Sequence, residues 1–259
     1  MQLFHDFNQA EETVTGDIQT LQFNGPDIPG DNVVAYHVSF IDGAGTTTYG
    51  DISRIRVKAA GKTIIDVDRE HFRALLYRMS RANYLIADAD LSFTIPLYHM
   101  DAKGDDRYIM GFPSGRKPTV EIVLDGTNGV GTAVIGWTFV DLPPVQFPMF
   151  SGSAMNIGAS SVNKRHNITE PGAIRALTIN TVGLTKAEIS LAGSKRIELS
   201  GTFFSTVQQL EGKKANESND PQAFKLHGPG SAPGDALVTT GAAWVGIGNE
   251  LGVYAILPQ

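Results

Sequence analysis

The stretch Ile52–Arg81, ISRIRVKAAGKTIIDVDREHFRALLYRMSR, constrains this chain more than any other. Ile55 and Val57 alternate with Arg54, Arg56 and Lys58, the period-two pattern of a half-buried strand. Ala60-Gly61-Lys62 reads as a tight turn, and Ile64, Ile65 and Val67 as a return strand. Asp68 is placed to cap a helix, because its carboxylate can accept from the amides of the next turn. Phe72, Leu75, Leu76 and Met79 follow at i, i+3, i+4 and i+7 and make one apolar helix face. Arg78 and Arg81 sit at the end where the helix dipole favours positive charge.

The same module is written again at Ala187–Lys213, AEISLAGSKRIELSGTFFSTVQQLEGK. Ile189 and Leu191 form a first strand, Ala192-Gly193-Ser194 the turn, and Ile197 and Leu199 the return. Ser200 or Thr202 caps a short predicted helix with Phe203, Phe204, Val207 and Leu210, which Gly212 stops. The two turn glycines, Gly61 and Gly193, lie about half a chain apart, so each half is expected to hold one copy.

Between these modules the chain reads as short strands and turns. Strands are expected at Ile18–Phe23, Val33–Ile41, Leu91–Leu97, Thr119–Leu124, Thr132–Val140, Ala154–Ile157, Ala173–Val182, Ala236–Gly248 and Leu251–Leu257. The 28 glycines and 13 prolines suit many turns better than a helical protein. Long polar stretches at His99–Lys117, Lys164–Gly172 and Glu217–Asp235 read as loops. Asp141-Leu-Pro-Pro-Val-Gln-Phe-Pro148 is the one linker-like segment, since its three prolines favour extended chain. The expected organisation is therefore an N-terminal arm at 1–16, a first β unit at 17–142, a Pro-rich linker at 143–148 and a second β unit at 149–259. Leu3, Phe4 and Phe7 are the anchors of the arm.

With 42% hydrophobic and 19% charged residues, the chain is globular in composition, and 259 residues can bury one large core or two smaller ones. It has no cysteine, which excludes disulfides, thiolate catalysis and cysteine-ligated metal sites. The net charge of −6 argues against a direct coat on nucleic acid, which needs positive charge to neutralise phosphates. The start MQLFHDFNQAEE has neither the basic residues nor the apolar run of a signal peptide. The longest mostly apolar run, Val130–Val140, is about half the roughly 20 residues of a membrane-spanning helix.

Several fragments imitate chemistry. Ala60-Gly-Lys-Thr63 resembles the end of a phosphate-binding loop, but Arg56 stands where that loop needs glycine. Gly246-Ile-Gly248 with Gly252 resembles a dinucleotide fingerprint without room for the following helix. His5, His37, His71, His99, His166 and His227 are dispersed, with no close pair to hold a metal. No Gly-x-Ser-x-Gly elbow occurs, so an enzyme is not expected. Asp101, Asp105 and Asp106 are the candidate calcium ligands, although their spacing fits no EF-hand and a solvated loop is the simpler reading. Asn167-Ile-Thr169 and Asn216-Glu-Ser218 match glycosylation acceptors by chance, and Arg116-Lys117 and Lys164-Arg165-His166 are small basic patches.

Two all-β units, each with a strand–Gly turn–strand–helix module and joined at a Pro-rich segment, resemble the double jelly-roll major capsid proteins of the adenovirus and tectivirus lineage. The corticovirus type of icosahedral, membrane-containing phage is the nearest in size. The residues that carry the likeness are Ile55–Ile65 with the helix Glu70–Arg81, and Ala176–Val182 with Ala187–Gly193. The resemblance implies an all-β fold with short helices, built as two consecutive eight-stranded jelly-roll β-sandwiches. It implies a homotrimeric, pseudo-hexagonal capsomer that tiles a virion shell around an internal membrane. Its partners would be itself, neighbouring capsomers and other virion proteins such as penton or membrane proteins, with no direct nucleic acid. A tandem β-sandwich carbohydrate- or receptor-binding module, such as a spike or lectin, is the alternative. Such a module wants exposed aromatics, whereas Trp137 and Trp244 both fall in expected closing strands.

Overall fold

A computed structural model describes residues 3–25, 32–41, 47–59, 62–79, 86–113, 118–154, 163–180, 184–200, 222–240 and 250–258. The strands in chain order are β1 (Leu3–Thr15), β2 (Thr20–Asn24), β3 (Asn32–Ile41), β4 (Ile52–Ala59), β5 (Lys62–Asp68), β6 (Ser92–Pro96), β7 (Phe112–Pro113), β8 (Thr119–Leu124) and β9 (Val130–Val140). They continue as β10 (Gln146–Ala154), β11 (Asn163–Ile168), β12 (Ala173–Asn180), β13 (Leu184–Leu191), β14 (Ser194–Ser200), β15 (Gln222–Gly230), β16 (Gly234–Thr240) and β17 (Glu250–Pro258). Helix α1 spans Arg69–Met79 and directly follows β5.

The chain divides into two compact units: residues Met1–Arg69, Tyr84–Met149 and Pro258–Gln259, and residues Glu70–Asn83 with Phe150–Leu257. In the first unit one sheet has the order β1-β9-β3-β6, with β7 beside β3, and the other the order β2-β8-β4-β5. In the second unit the orders are β10-β17-β12-β15 and β11-β16-β13-β14. Leaving aside the short β7, both units repeat one rule. Among the described residues, the eight strands of each unit divide as first, eighth, third and sixth in one sheet and second, seventh, fourth and fifth in the other. That is jelly-roll order, so the fold is a double jelly roll, as the sequence resemblance implied.

The opening module is where the sequence places it. β4 and β5 pair antiparallel from Arg54 opposite Asp68 to Ala59 opposite Lys62. Ile52, Ile55, Val57 and Ala59 are buried on β4, while the basic residues between them are half exposed. The second copy is also present: β13 and β14 pair, with Leu191 opposite Ser194. The helix expected after Ser200, residues 201–212, and the tryptophan at 244 lie outside the described residues.

In the first unit Leu21 and Phe23 of β2, Ile55 and Val57 of β4, Val67 of β5 and Val120, Ile122 and Leu124 of β8 are all buried. Tyr36 and Val38 of β3, Phe93 and Ile95 of β6 and Ile135 of β9 are buried from the other sheet. Tyr49 meets Phe93 edge to face, with ring centroids 5.1 Å apart, and its hydroxyl donates to the Arg69 carbonyl at 2.7 Å.

Helix α1 shows what the second unit needed. Sequence order put this helix in the first β unit, but from Glu70 onward it packs within the second. His71 is fully buried, and its Nδ1 lies 2.6 Å from the Thr178 hydroxyl on β12. Thr178 is registered opposite Gly252 on β17. A Cβ at Gly252 would fall 2.2 Å from Thr178 Oγ1, 2.8 Å from the Phe150 ring and 3.2 Å from His71 Nδ1. Thr178 and Gly252 therefore share the helix side of the sheet. Leu177, Ile179, Leu251 and Val253 alternate to the side that meets the β11-β16-β13-β14 sheet. Cover on both faces explains why Leu251–Ile256 are buried without interruption, whereas β13 alternates between buried and half-buried residues.

Four sequence expectations are corrected. The arm at 1–16 is largely strand β1, paired with β9. The stretch at Lys164–Gly172 contains β11, and that at Glu217–Asp235 contains β15, so neither is wholly loop. The linker segment 143–148 is strand from Gln146 onward. β1, β11 and β15 each stand at the outer end of their sheet order. Edge strands carry charges, prolines and polar residues that discourage pairing with other chains, and this erases the alternation that marks a strand.

Two substitutions test this account. Ala192 and Gly193 both hold positive φ, 48° and 74°, in the β13–β14 turn. A Cβ at Gly193 meets nothing within 4 Å, so Gly193→Ala should cost about 1 kcal/mol through backbone strain alone. Gly252→Ala overpacks the helix seat and should cost about 1–3 kcal/mol. Urea unfolding of both variants checks the two magnitudes.

Candidate functional site

The outward face of the β5-β4-β8 sheet is built from the alternation that first marked β4. Arg54, Arg56 and Lys58 point the same way, and register sets Arg56 opposite both Asp66 on β5 and Glu121 on β8. Asp66 takes Arg54 and Arg56, the latter at 3.1 Å. Glu121 takes Lys58 at 2.5 Å and Arg56 at 3.9 Å. Glu121 is the most enclosed member, its side chain 11% exposed, while the cations are 28–41% exposed. The result is a charged ladder across three strands, with three cations to two carboxylates.

A polar row crosses the other sheet of the same unit. His5 Nδ1 on β1 lies 2.9 Å from the Thr138 hydroxyl on β9. His37 Nε2 on β3 lies 2.7 Å from that same hydroxyl, and its Nδ1 lies 3.0 Å from the Thr94 hydroxyl on β6. Phe7 stacks parallel to His5 at 5.9 Å and lies tilted against His37 at 5.4 Å. Phe4 stacks on Phe139 at 5.3 Å in the next register pair, which alternation puts on the opposite face of the sheet. Leu3, Phe4 and Phe7 are exposed on this strand, Phe7 by 57%. Burial lowers the His37 pKa, and the charge of His5 lowers it further.

The described part of the excursion, residues 99–113, is pinned within the first unit. Arg107 lies over the Tyr108 ring at 4.6 Å and the Tyr98 ring at 5.9 Å. The Asn32 side-chain amide donates to the Tyr108 carbonyl at 2.9 Å. Asp105 and Asp106 are exposed in the first turn of a 3-10 segment at Gly104–Ile109, and Asp101 lies in the turn before it. Among the described residues, no group of three or more His, Asp or Glu side chains converges as a metal site. Lys62 and Thr63 are exposed on strand β5 rather than opening a helix, as a phosphate loop requires. Arg165 of the basic patch is paired to Asp235 at 3.0 Å. Trp137 is buried, at 6% exposure. No described helix is long and apolar enough to cross a membrane.

Sequence reasoning missed the meeting of His5 with His37, because 32 positions separate them and only strand order brings β1, β9 and β3 side by side. The signal that could have found it was weak: histidine beside aromatic residues on an alternating strand.

No protein-family model and no curated protein sequence matches the chain. Solved structures do. The major capsid protein P2 from bacteriophage PM2 superposes with a TM-score of 0.75 at 12% identity, covering 99% of this chain and 97% of that one. A protein of Sulfolobus turreted icosahedral virus superposes at 0.67 and 14% identity, covering 100% and 90%. The PBCV-1 virus capsid follows at 0.54 and 13%, covering 99% and 93%. What the chain shares with them is the double jelly-roll fold over nearly its whole length.

The ladder predicts a salt-dependent stability term. Glu121→Gln should cost about 1 kcal/mol at low ionic strength and less in 1 M salt, because its cation partners are partly exposed and salt screens them. Denaturant midpoints at the two salt concentrations measure the difference.

Proposed function

We propose that this protein is the major capsid protein of an icosahedral virus: a structural subunit whose homotrimers tile the virion shell. The observation that carries the reading is the full-length match to the PM2 major capsid protein P2, with both rolls matched and almost nothing left over on either chain. A capsomer subunit needs an inert, edge-protected body with sides for neighbours. Two-sheet packing supplies the body, and short or charged edge strands protect it.

Three subunits with two rolls each make a pseudo-hexagonal block, the shape that tiles a shell. An internal membrane between shell and genome fits the acidic charge of −6, since the shell then need not neutralise phosphates. Neighbouring capsomers, penton proteins and membrane proteins are the partners this role calls for, and the task is mechanical rather than catalytic. The alternative carbohydrate-binding module gains no support from Trp137, whose ring is buried and offers no stacking face.

Light scattering of the purified chain, with and without calcium, tests the proposal. A stable species at three times 27.8 kDa is the expected result. A monomer that persists at high concentration overturns it and favours the binding module.

A further inference from the structure

We propose that the row His5–Thr138–His37–Thr94 is a proton-operated clasp that holds the first part of β1 onto its sheet and lets it go in acid. The inference concerns one strand of the first unit and does not depend on the capsid reading.

The clasp works through one hydroxyl shared by two imidazoles. With both rings neutral, one can donate its N–H to Thr138 Oγ1 while the other accepts the Thr138 O–H, so every proton has a place. The second nitrogen of His37 reaches Thr94, which ties the row to β6. Strand β1 is thereby linked through β9 to β3 and β6 by side chains as well as by its backbone ladder. Phe7 contacts both rings, stacked on the exposed His5 and tilted against the half-buried His37. Gly136 of β9 makes room for it, because a Cβ there would lie 2.9 Å from both Phe7 Cα and Phe7 Cδ1.

Protonation undoes this arrangement. Two imidazolium rings can only donate, so the Thr138 proton loses its acceptor, and like charges face each other across a single oxygen. Among the described residues, the titratable group that acts on His37 is His5 from β1, its hydrogen-bond partners are the hydroxyls of Thr94 on β6 and Thr138 on β9, and Phe7 is its apolar neighbour. Asp6, the neighbouring carboxylate on β1, is registered opposite Trp137. The charge that acts on His37 is that of His5, and it disfavours the protonated form. The sign follows: a histidine with a lowered folded-state pKa contributes stability above its unfolded value near 6.5, and loses it as pH falls through the lowered one.

The strand has a built-in boundary for release. Its pairing with β9 runs Leu3 to Asp6, breaks at a register shift, and resumes from Ala10 to Thr15. The inner part is anchored independently. Val14 is 1% exposed, and the Gln19 side chain accepts from Thr15 and donates to the Thr13 carbonyl. The clasp lies wholly in the outer part. Acid therefore frees Leu3–Phe7 and leaves Ala10–Thr15 in place, uncovering the edge of β9 from Trp137 to Val140 for pairing with another strand.

Residue-resolved amide exchange on the full chain at pH 7.5 and pH 5.0, corrected for intrinsic exchange, tests the clasp. The expected result is a loss of protection of about tenfold or more at residues 4–6 on acidification, with protection at residues 10–15 unchanged. His37→Gln, which can donate and accept but not charge, should abolish the difference between the two pH values. Protection at residues 4–6 that does not change with pH overturns the proposal, as does an undiminished pH effect in His37→Gln. If that variant does not fold, the His37 ring titration in the unaltered chain decides: a midpoint at or above 6.5 also overturns it.

Discussion

Every strand must pair its backbone along its edges and cover its apolar face, and this double demand shapes both units. In the first unit two sheets of jelly-roll order satisfy it by closing on each other through Leu21, Phe23, Ile55, Val57, Phe93 and Ile95. In the second unit the sheet of β10, β17, β12 and β15 has apolar residues on both sides, and two-sheet packing covers only one. Helix α1 supplies the other cover. Its seat is narrow, because His71, Thr178, Phe150 and the bare backbone of Gly252 occupy adjoining space. A fully buried histidine is costly unless hydrogen-bonded, and the Thr178 hydroxyl meets that requirement on the sheet side.

The outward faces of the first unit carry a different kind of organisation. On one sheet, charges of both signs alternate across three strands and leave a soluble, screened surface. On the other, imidazoles and hydroxyls link four strands, with the Phe7 ring against both imidazoles. The first arrangement responds to salt and the second to protons. A shell subunit, the proposed role, needs a body that stays intact and edges that can change partners. The closed cores fit the first need and the interrupted strand β1 the second.

Much of the architecture was legible in the residues because alternation survives wherever one face of a strand is wet. β4, β8 and β13 show it plainly: Ile55 and Val57 between basic residues, Val120 and Ile122 beside Glu121, Ala187, Ile189 and Leu191 between polar ones. The Gly-turn modules marked both halves, and their pairing follows from connections too short to allow anything but antiparallel neighbours. The edge strands were illegible for the same physical reason in reverse. β11 reads NKRHNI and buries Ile168 at its end, and β15 contains Pro229, so neither keeps the pattern of a central strand. The candidate site was less legible still. The paired charges around Arg56 were visible only as one strand's basic face, and their carboxylate partners come from β5 and β8 by register.

The sequence by itself determined the secondary structure of the central strands, the two repeated modules and the all-β class, because these depend on periodicity and turn chemistry within a few residues. Tertiary structure alone decided which unit helix α1 covers, that a polar N-terminal segment is a paired strand, and that His5 and His37 share one hydroxyl. Each of these joins residues tens to more than a hundred positions apart. Contacts of that span are set by sheet order and register, and a linear pattern carries no record of which strand will lie beside which.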